Sequence, residues 1–214
     1  MSEADIPSAI APAPPMDDDA FDRALIAAAF GIAATGGWRR VSVAEAAREA
    51  GLPLARARER FPTRGALLLR FARLADQAAL SETPGTGTVR DRLFDLLMHR
   101  IDVLQAHRAG VLALLAGLPA DPAAALALLV ATRRAMRWML DAAGVSTAGP
   151  IGELRLRGLI AVWAWTIHAW RNDHSTDLSA TMAALDTALA RAESAAAWLN
   201  GTHASATPPQ QAPD

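Results

Sequence analysis

Apolar residues recur along this chain with the three-to-four spacing of helices, and no stretch shows the alternation of a half-buried strand. Over Asp22 to Thr35 the apolar set is Phe21, Leu25, Ile26, Ala29, Phe30 and Ile32, and Gly36-Gly37-Trp38 then breaks the pattern. Ser42-Val43-Ala44-Glu45 has the form of a capping box, in which the Ser hydroxyl accepts from the third amide and the Glu reaches back. Ala46, Ala47 and Ala50 keep this second helix slim, and Gly51 stands where a helix ends in the left-handed region. Pro53 suits the first turn of a third helix, because its missing N–H would be unpaired there anyway. That helix stops at Phe61, before Pro62, and Thr63 caps a fourth reaching about Leu80.

At about 100° per residue, Leu54, Ala57 and Phe61 fall on one face of the third helix and Ala55, Arg56 and Glu59 on the other. Arg58 and Arg60 flank the apolar stripe. Such a helix is either a small amphipathic element with a solvated charged side or one that lies in a major groove, where Arg reads guanine O6 and N7 or pairs with phosphates. Three helices of this size in sequence make a compact DNA-binding unit and favour the second reading. Arg64, in the first turn of the fourth helix, stands within reach of a phosphate.

Ser81 to Thr88, SETPGTGT, is a linker by composition. Beyond it the pattern predicts five helices: Arg90 to His107, Arg108 to Leu118, Asp121-Pro122 to Ala143, Ile151 to Trp170, and Leu178 to about Leu199 capped by Asp177. Ile151 to Trp170 is apolar on nearly every side, as expected of a helix buried all round or lying in a subunit interface. Glu153, Arg155, Arg157 and the glycines cut its apolar run to about thirteen residues, short of the ~20 that a membrane span needs. The fold class is therefore all-α, with an N-terminal three-helix helix-turn-helix domain joined to a C-terminal helical bundle and no membrane span.

At 214 residues the chain accommodates one or two small domains. It contains no Cys, which removes disulfide and thiol chemistry. All 21 basic residues are Arg, a choice that base composition alone can impose. Residues 1–20 carry five acids and no base, residues 21–80 carry ten Arg and five acids, and the remainder eleven Arg and twelve acids. The charges are −5, +5 and −1, so a basic helix-turn-helix sits on a near-neutral body, the footprint of a nucleic-acid binder. Residues 1–20 and 201–214 read as disordered tails, residues 21–80 as the helix-turn-helix domain and residues 89–200 as a second, helical domain. No signal peptide is evident, and a cytoplasmic location is expected.

No constellation supports an enzyme, a metal site or a cofactor. His99, His107, His168, His174 and His203 are scattered, and no acid stands one turn from His168 to build a metal pair. Phosphate loops and nucleophile elbows are missing, and Asp173, Asp177 and Asp186 read as turn and helix-surface carboxylates. An apolar pocket between helices is the better expectation. Met98, Trp138, Met139 and Trp163 are large residues suited to line one, for a ligand without ionised groups, with a filled core as the alternative.

The order of Phe30, Gly36, Val43, Ala46-Ala47, Ala50, Gly51, Phe61, Pro62, Arg64 and Leu67 resembles the N-terminal domain of the tetracycline-repressor (TetR) family of transcriptional regulators. Pro53 and Leu54 stand where that family usually has a small polar residue and a Lys, and Arg58 where it usually has Tyr. The resemblance implies a homodimer, with Ile151 to Trp170 and Leu178 to Leu199 forming a four-helix interface. It implies double-stranded DNA as partner, two third helices in successive major grooves roughly 34 Å apart, and a small ligand in the second domain that alters this spacing. Arg56, Arg58 and Arg60 are then the base or phosphate readers, with Ser42 and Arg64 positioning the domain on the backbone. Trp170 to Glu193 resembles instead the C-terminal portion of the ubiquinone-biosynthesis accessory proteins, lipid binders of TetR-like fold. Gly144 to Thr147 matches a turn of theirs, and Gly149 to Glu153 replaces their aromatic motif. That second resemblance implies a lipid or isoprenoid ligand and no DNA binding.

Overall fold

The computed structural model describes residues 16–81 and 87–204, of which 198–204 by their backbone alone. Within these residues all regular structure is helical. The stretches 1–15 and 205–214 expected to be tails, and 82–86 of the expected linker, lie outside the described residues.

Helix α1 spans Asp18–Gly36, so residues 18–20, expected in the tail, belong to the first helix. Asp17 caps it, accepting from the Ala20 amide at 2.6 Å, and Asp18 and Asp19 sit in the first turn, where the helix dipole favours acids. Gly37 ends it at φ 81°, and Trp38–Arg40 make one 3₁₀ turn that buries the Trp38 ring 5.5 Å from that of Phe30. Helix α2 is Val43–Glu49, with the Ser42 hydroxyl accepting from the Glu45 amide at 3.1 Å. Ala46 and Ala47 are fully buried, and Gly51 takes φ 64° at the turn. Helix α3 is Leu54–Arg60; Pro53 is its extended N-cap, one position ahead of the first turn where the sequence pattern put it. Helix α4 is Arg64–Ser81, and Thr63 Oγ1 accepts from the Ala66 amide.

Helix α5, Val89–Ala106, opens with a reciprocal capping box between Thr88 and Asp91, so the end of the expected linker is a helix start. Helices α6 (Arg108–Gly117), α7 (Pro122–Ala142) and α8 (Gly149–Asn172) follow close to their expected bounds. Helix α9, Ser179–Ala204, outruns the expected end near Leu199 by five residues. The helix-favouring alanines before that point carry it on. Asp173, nearly inaccessible, joins α8 to α9. One of its oxygens accepts from the Ser175 amide and hydroxyl, the other from the Thr181 amide and hydroxyl, and these bonds hold the carboxyl well below the usual range.

A single apolar core runs from Phe21 to Leu189 through both halves. The linker therefore does not separate two bodies: α4 packs on α5 and α7, α6 packs on α1, and α8 pairs with α9. Gly110 of α6 makes the α1–α6 crossing possible, since a Cβ there would lie 2.3 Å from the Phe30 carbonyl oxygen. Two residues before Gly110 on α6, Arg108 caps α8, donating to the carbonyls of Trp170 (2.9 Å) and Asp173 (2.7 Å). Its guanidinium lies 4.7 Å from the Trp170 ring centroid, and the Trp170 indole N–H donates to Gln105. A cation on the carbonyl end of a helix satisfies acceptors that the helix leaves open.

Candidate nucleic-acid interface and ligand cavity

The α2, Gly51 turn and α3 elements form a helix-turn-helix whose inner face is small. Ala46, Ala47 and Ala57 are buried and Phe61 closes the base. The outward stripe of α3 is Leu54, Ala55, Arg58 and Glu59, spaced as one helix face. Leu54, expected on the buried stripe, sits in the first turn of α3 and is 47% exposed. Ser42 is exposed beside the start of α2 while its hydroxyl caps that helix.

Arg56 and Arg60 do not share that outward stripe; they face the start of α1. Arg56 donates to Asp18 (2.5 Å) and to the Met16 carbonyl (2.8 Å), with its guanidinium 4.4 Å from the Phe21 ring centroid. Arg60 reaches Asp18 at 2.6 Å and grips Asp22 through Nε (2.8 Å) and Nη2 (3.0 Å). Arg70 of α4 completes the network, donating to Asp22 and Asp19 at 2.7 Å each. Asp22 is 1% exposed. Burial pushes its carboxyl up, but the bonds from Arg60 and Arg70 outweigh that and leave it below the ordinary value. The hydrogen bond from Arg56 lowers Asp18, and Asp22 in turn raises Arg60. Arg64 is likewise engaged inside the chain, bonding Asp121 at 2.8 Å and the Arg39 carbonyl at 2.9 Å. Arg58 is exposed and gives one N–H to the Pro62 carbonyl at 2.9 Å.

The acidic partners of Arg56, Arg60, Arg64 and Arg70 lie 38 to 57 positions away in sequence, so helical periodicity could not find them. The available signal was the complementarity of an acidic block, Asp17-Asp18-Asp19, and a basic helix. Counting Asp17 to Leu80 as one unit, ten Arg face eight carboxylates, which makes the net charge of the helix-turn-helix +2 and not +5.

In the second half an apolar cavity of about 490 Å³ opens between the start of α5, the end of α7, α8 and α9. Leu93, Leu140, Val145, Leu159 and Leu189 form its floor, Gly158 lies in its wall, and Arg90, Arg155 and Glu193 supply its charges. None of the four residues expected to line a pocket borders it; Met139 and Trp163 belong to the apolar core and Met98 packs against it. Met98 is half-buried on α5, Trp138 is 56% exposed on α7, and Met139 is fully buried in the core. Trp163 is packed against buried Arg100, whose guanidinium lies 5.2 Å from its ring and pairs with Asp76 of α4. Burial brings the Arg100 guanidinium down to about 10. Large side chains filled the core, and the opening formed where small ones, Gly158, Ala192 and Ala195 to Ala197, left room.

The outer face of α8 exposes Leu154, Ala161, Ala164, Trp165 and His168, and Ile151 at its start is also exposed. No single helix among the described residues is long and apolar enough to cross a membrane.

No protein-family model matches the chain, and no curated protein matches it. Among solved structures it is similar to the TetR transcriptional regulator from Nitrosomonas europaea ATCC 19718, with a TM-score of 0.65 and 21% identity over 83% of this chain and 98% of that one. A tetR-family transcriptional regulator from Streptomyces coelicolor superimposes with a TM-score of 0.63 at 20% identity, covering 89% of this chain and 87% of that one. A TetR transcriptional regulator from Rhodococcus sp. RHA1 gives 0.55 at 20% identity, over 83% and 97%. The chain has the fold of the TetR transcriptional regulators.

Proposed function

We propose that the protein is a homodimeric transcriptional regulator that binds double-stranded operator DNA through α2 and α3 and responds to a small apolar ligand held in the second half. The observation that carries this reading is the outward stripe of α3, an accessible face carrying Arg58 on a helix-turn-helix of TetR fold. Ser42 lies at the exposed start of α2, placed to meet a phosphate. Arg56, Arg60 and Arg64 act on DNA indirectly, by fixing α3 and α4 against α1 and α7. The cavity has the size of ligand sites generally and a lining that favours an apolar guest. Trp165, with Ala161 and Ala164 beside it, leaves on α8 the apolar face that a partner copy covers, together with α9, while Ile151 and Leu154 open onto the cavity.

The test is a gel shift with the DNA upstream of the protein's own gene, repeated across salt concentrations. A retarded band whose affinity falls with salt supports the regulator. Equal, weak affinity for that duplex and an unrelated one removes it.

A second reading is favoured by the cavity and by the internal commitment of Arg56, Arg60 and Arg64. It is a lipid- or isoprenoid-binding accessory protein of TetR fold, serving ubiquinone biosynthesis without binding DNA. Mass spectrometry of an organic extract of the purified protein decides it. A copurifying isoprenoid with no duplex binding at low salt selects this reading, and a clean extract with duplex binding discards it.

A further inference from the structure

The regulator reading leaves open which side chains read sequence, and the outward stripe of α3 answers it. We infer that Arg58 reads a guanine and that Leu54 and Ala55 read the methyl group of a thymine in the same half-site, while Arg56 and Arg60 touch no base. The inference rests on the regulator reading and goes beyond it by naming the base chemistry recognised.

A helix in the major groove meets base edges only through the face turned away from its own protein. On α3 that face is Leu54, Ala55, Arg58 and Glu59. Arg58 spends one N–H on the Pro62 carbonyl, and a guanidinium has five, so a pair remains for O6 and N7 of guanine. Leu54 is a large apolar side chain, 47% exposed, next to exposed Ala55. In the major groove the thymine C5 methyl is the apolar group a base offers. Leu54 and Arg58 are one helical turn apart, about 6 Å along the axis, which corresponds to about two base steps of 3.4 Å. The guanine and the thymine are therefore near neighbours. Arg56 and Arg60 are excluded by cost. Turning Arg60 outward strips the buried Asp22 carboxylate of two hydrogen bonds, and turning Arg56 outward lifts it from Phe21 and Asp18.

The full chain is used to select duplexes from a randomised pool, and the enriched site is rebuilt with single base changes. Arg58→Ala is expected to lower affinity about 10- to 100-fold and to erase the guanine preference at one position per half-site. Replacing the neighbouring thymine by uracil, which deletes only the methyl, weakens wild type several-fold and Leu54→Ala by less, since Ala55 keeps part of the contact. Arg60→Ala lowers thermal stability and keeps both preferences. A site that is enriched but whose guanine preference survives Arg58→Ala, or whose thymine tolerates uracil without loss, overturns the inference while the regulator reading stands. Loss of a base preference in Arg60→Ala with unchanged melting does the same. If no duplex is enriched at low salt, the regulator reading falls and takes the inference with it.

Discussion

Gly110→Ala adds one methyl group at the joint between the helix-turn-helix and the second half, and its outcome can be worked from distances. The new Cβ would lie 2.3 Å from the Phe30 carbonyl oxygen and 2.8 Å from Phe30 Cβ. An ordinary contact is about 3.5 Å, so α6 and α1 must part by about 1 Å. The obstacle is backbone and cannot swing aside. Overpacking of this kind costs about 1–3 kcal/mol. The shift also disturbs Phe30, whose ring packs against Trp38 (5.5 Å), Phe71 (4.4 Å) and His107 (5.6 Å). Against this, alanine improves helix propensity by about 1 kcal/mol. With a backbone oxygen this close the steric cost falls at the upper end, about 2–3 kcal/mol, so it wins and the expected net loss is about 1–2 kcal/mol. Gly31→Ala, on α1 with nothing within 4 Å of the added carbon, isolates the propensity term and should stabilise by about 0.5–1 kcal/mol. Urea unfolding of both variants at matched protein concentration measures the two signs. A Gly110→Ala protein as stable as wild type or more so would refute the close crossing, and with it the rigid coupling of the two halves.

Asp22→Asn should cost about 2–3 kcal/mol at neutral pH, because Arg60 and Arg70 lose a buried carboxylate yet stay wet enough to recover part of it from water. The folded carboxyl lies below its unfolded value, so its stabilisation is complete above that value and is lost as pH falls through the folded one. The gap between wild type and Asp22→Asn in denaturation midpoints should therefore close in acid below about pH 4, and a gap unchanged down to pH 2 contradicts the pairing. Gly158→Leu projects into open space in the cavity wall, and should weaken uptake of an apolar fluorescent probe about tenfold, near 1.4 kcal/mol, without lowering the melting temperature. Undiminished probe binding would place the ligand elsewhere. Trp165→Glu puts a charge on the exposed α8 face, and if the proposed dimer forms through it, sedimentation velocity should show wild type as a dimer and the variant as a monomer; an unshifted dimer moves the interface off α8.

Most helix starts and stops that rest on a local device are legible in the chain: the Ser42 cap, the left-handed Gly51, the Thr63 cap, the Asp121-Pro122 start and the Asp177 turn. These involve residues within three positions of each other, and their energetics do not depend on what the rest of the chain does. The same locality explains the small errors. Asp17 caps as well as Ser42 does, yet it follows a polar stretch and was assigned to a tail, and Thr88 was hidden in a linker by its glycine neighbours.

The fate of charge and space was decided only in three dimensions. Periodicity told correctly that α3 carries three arginines around a thin apolar face, but it could not tell which of them meet water. Asp18 and Asp22 approach Arg56 and Arg60 because folding brings the start of α1 beside α3. Cavities obey the same rule. Met139 and Trp163 are large, and size is what draws them into the core; the opening lies between α5, α7, α8 and α9, where Gly158 and the alanines of α9 leave room. A helix is a property of neighbours in the chain, whereas an ion pair and a void belong to surfaces that meet only after the helices have packed.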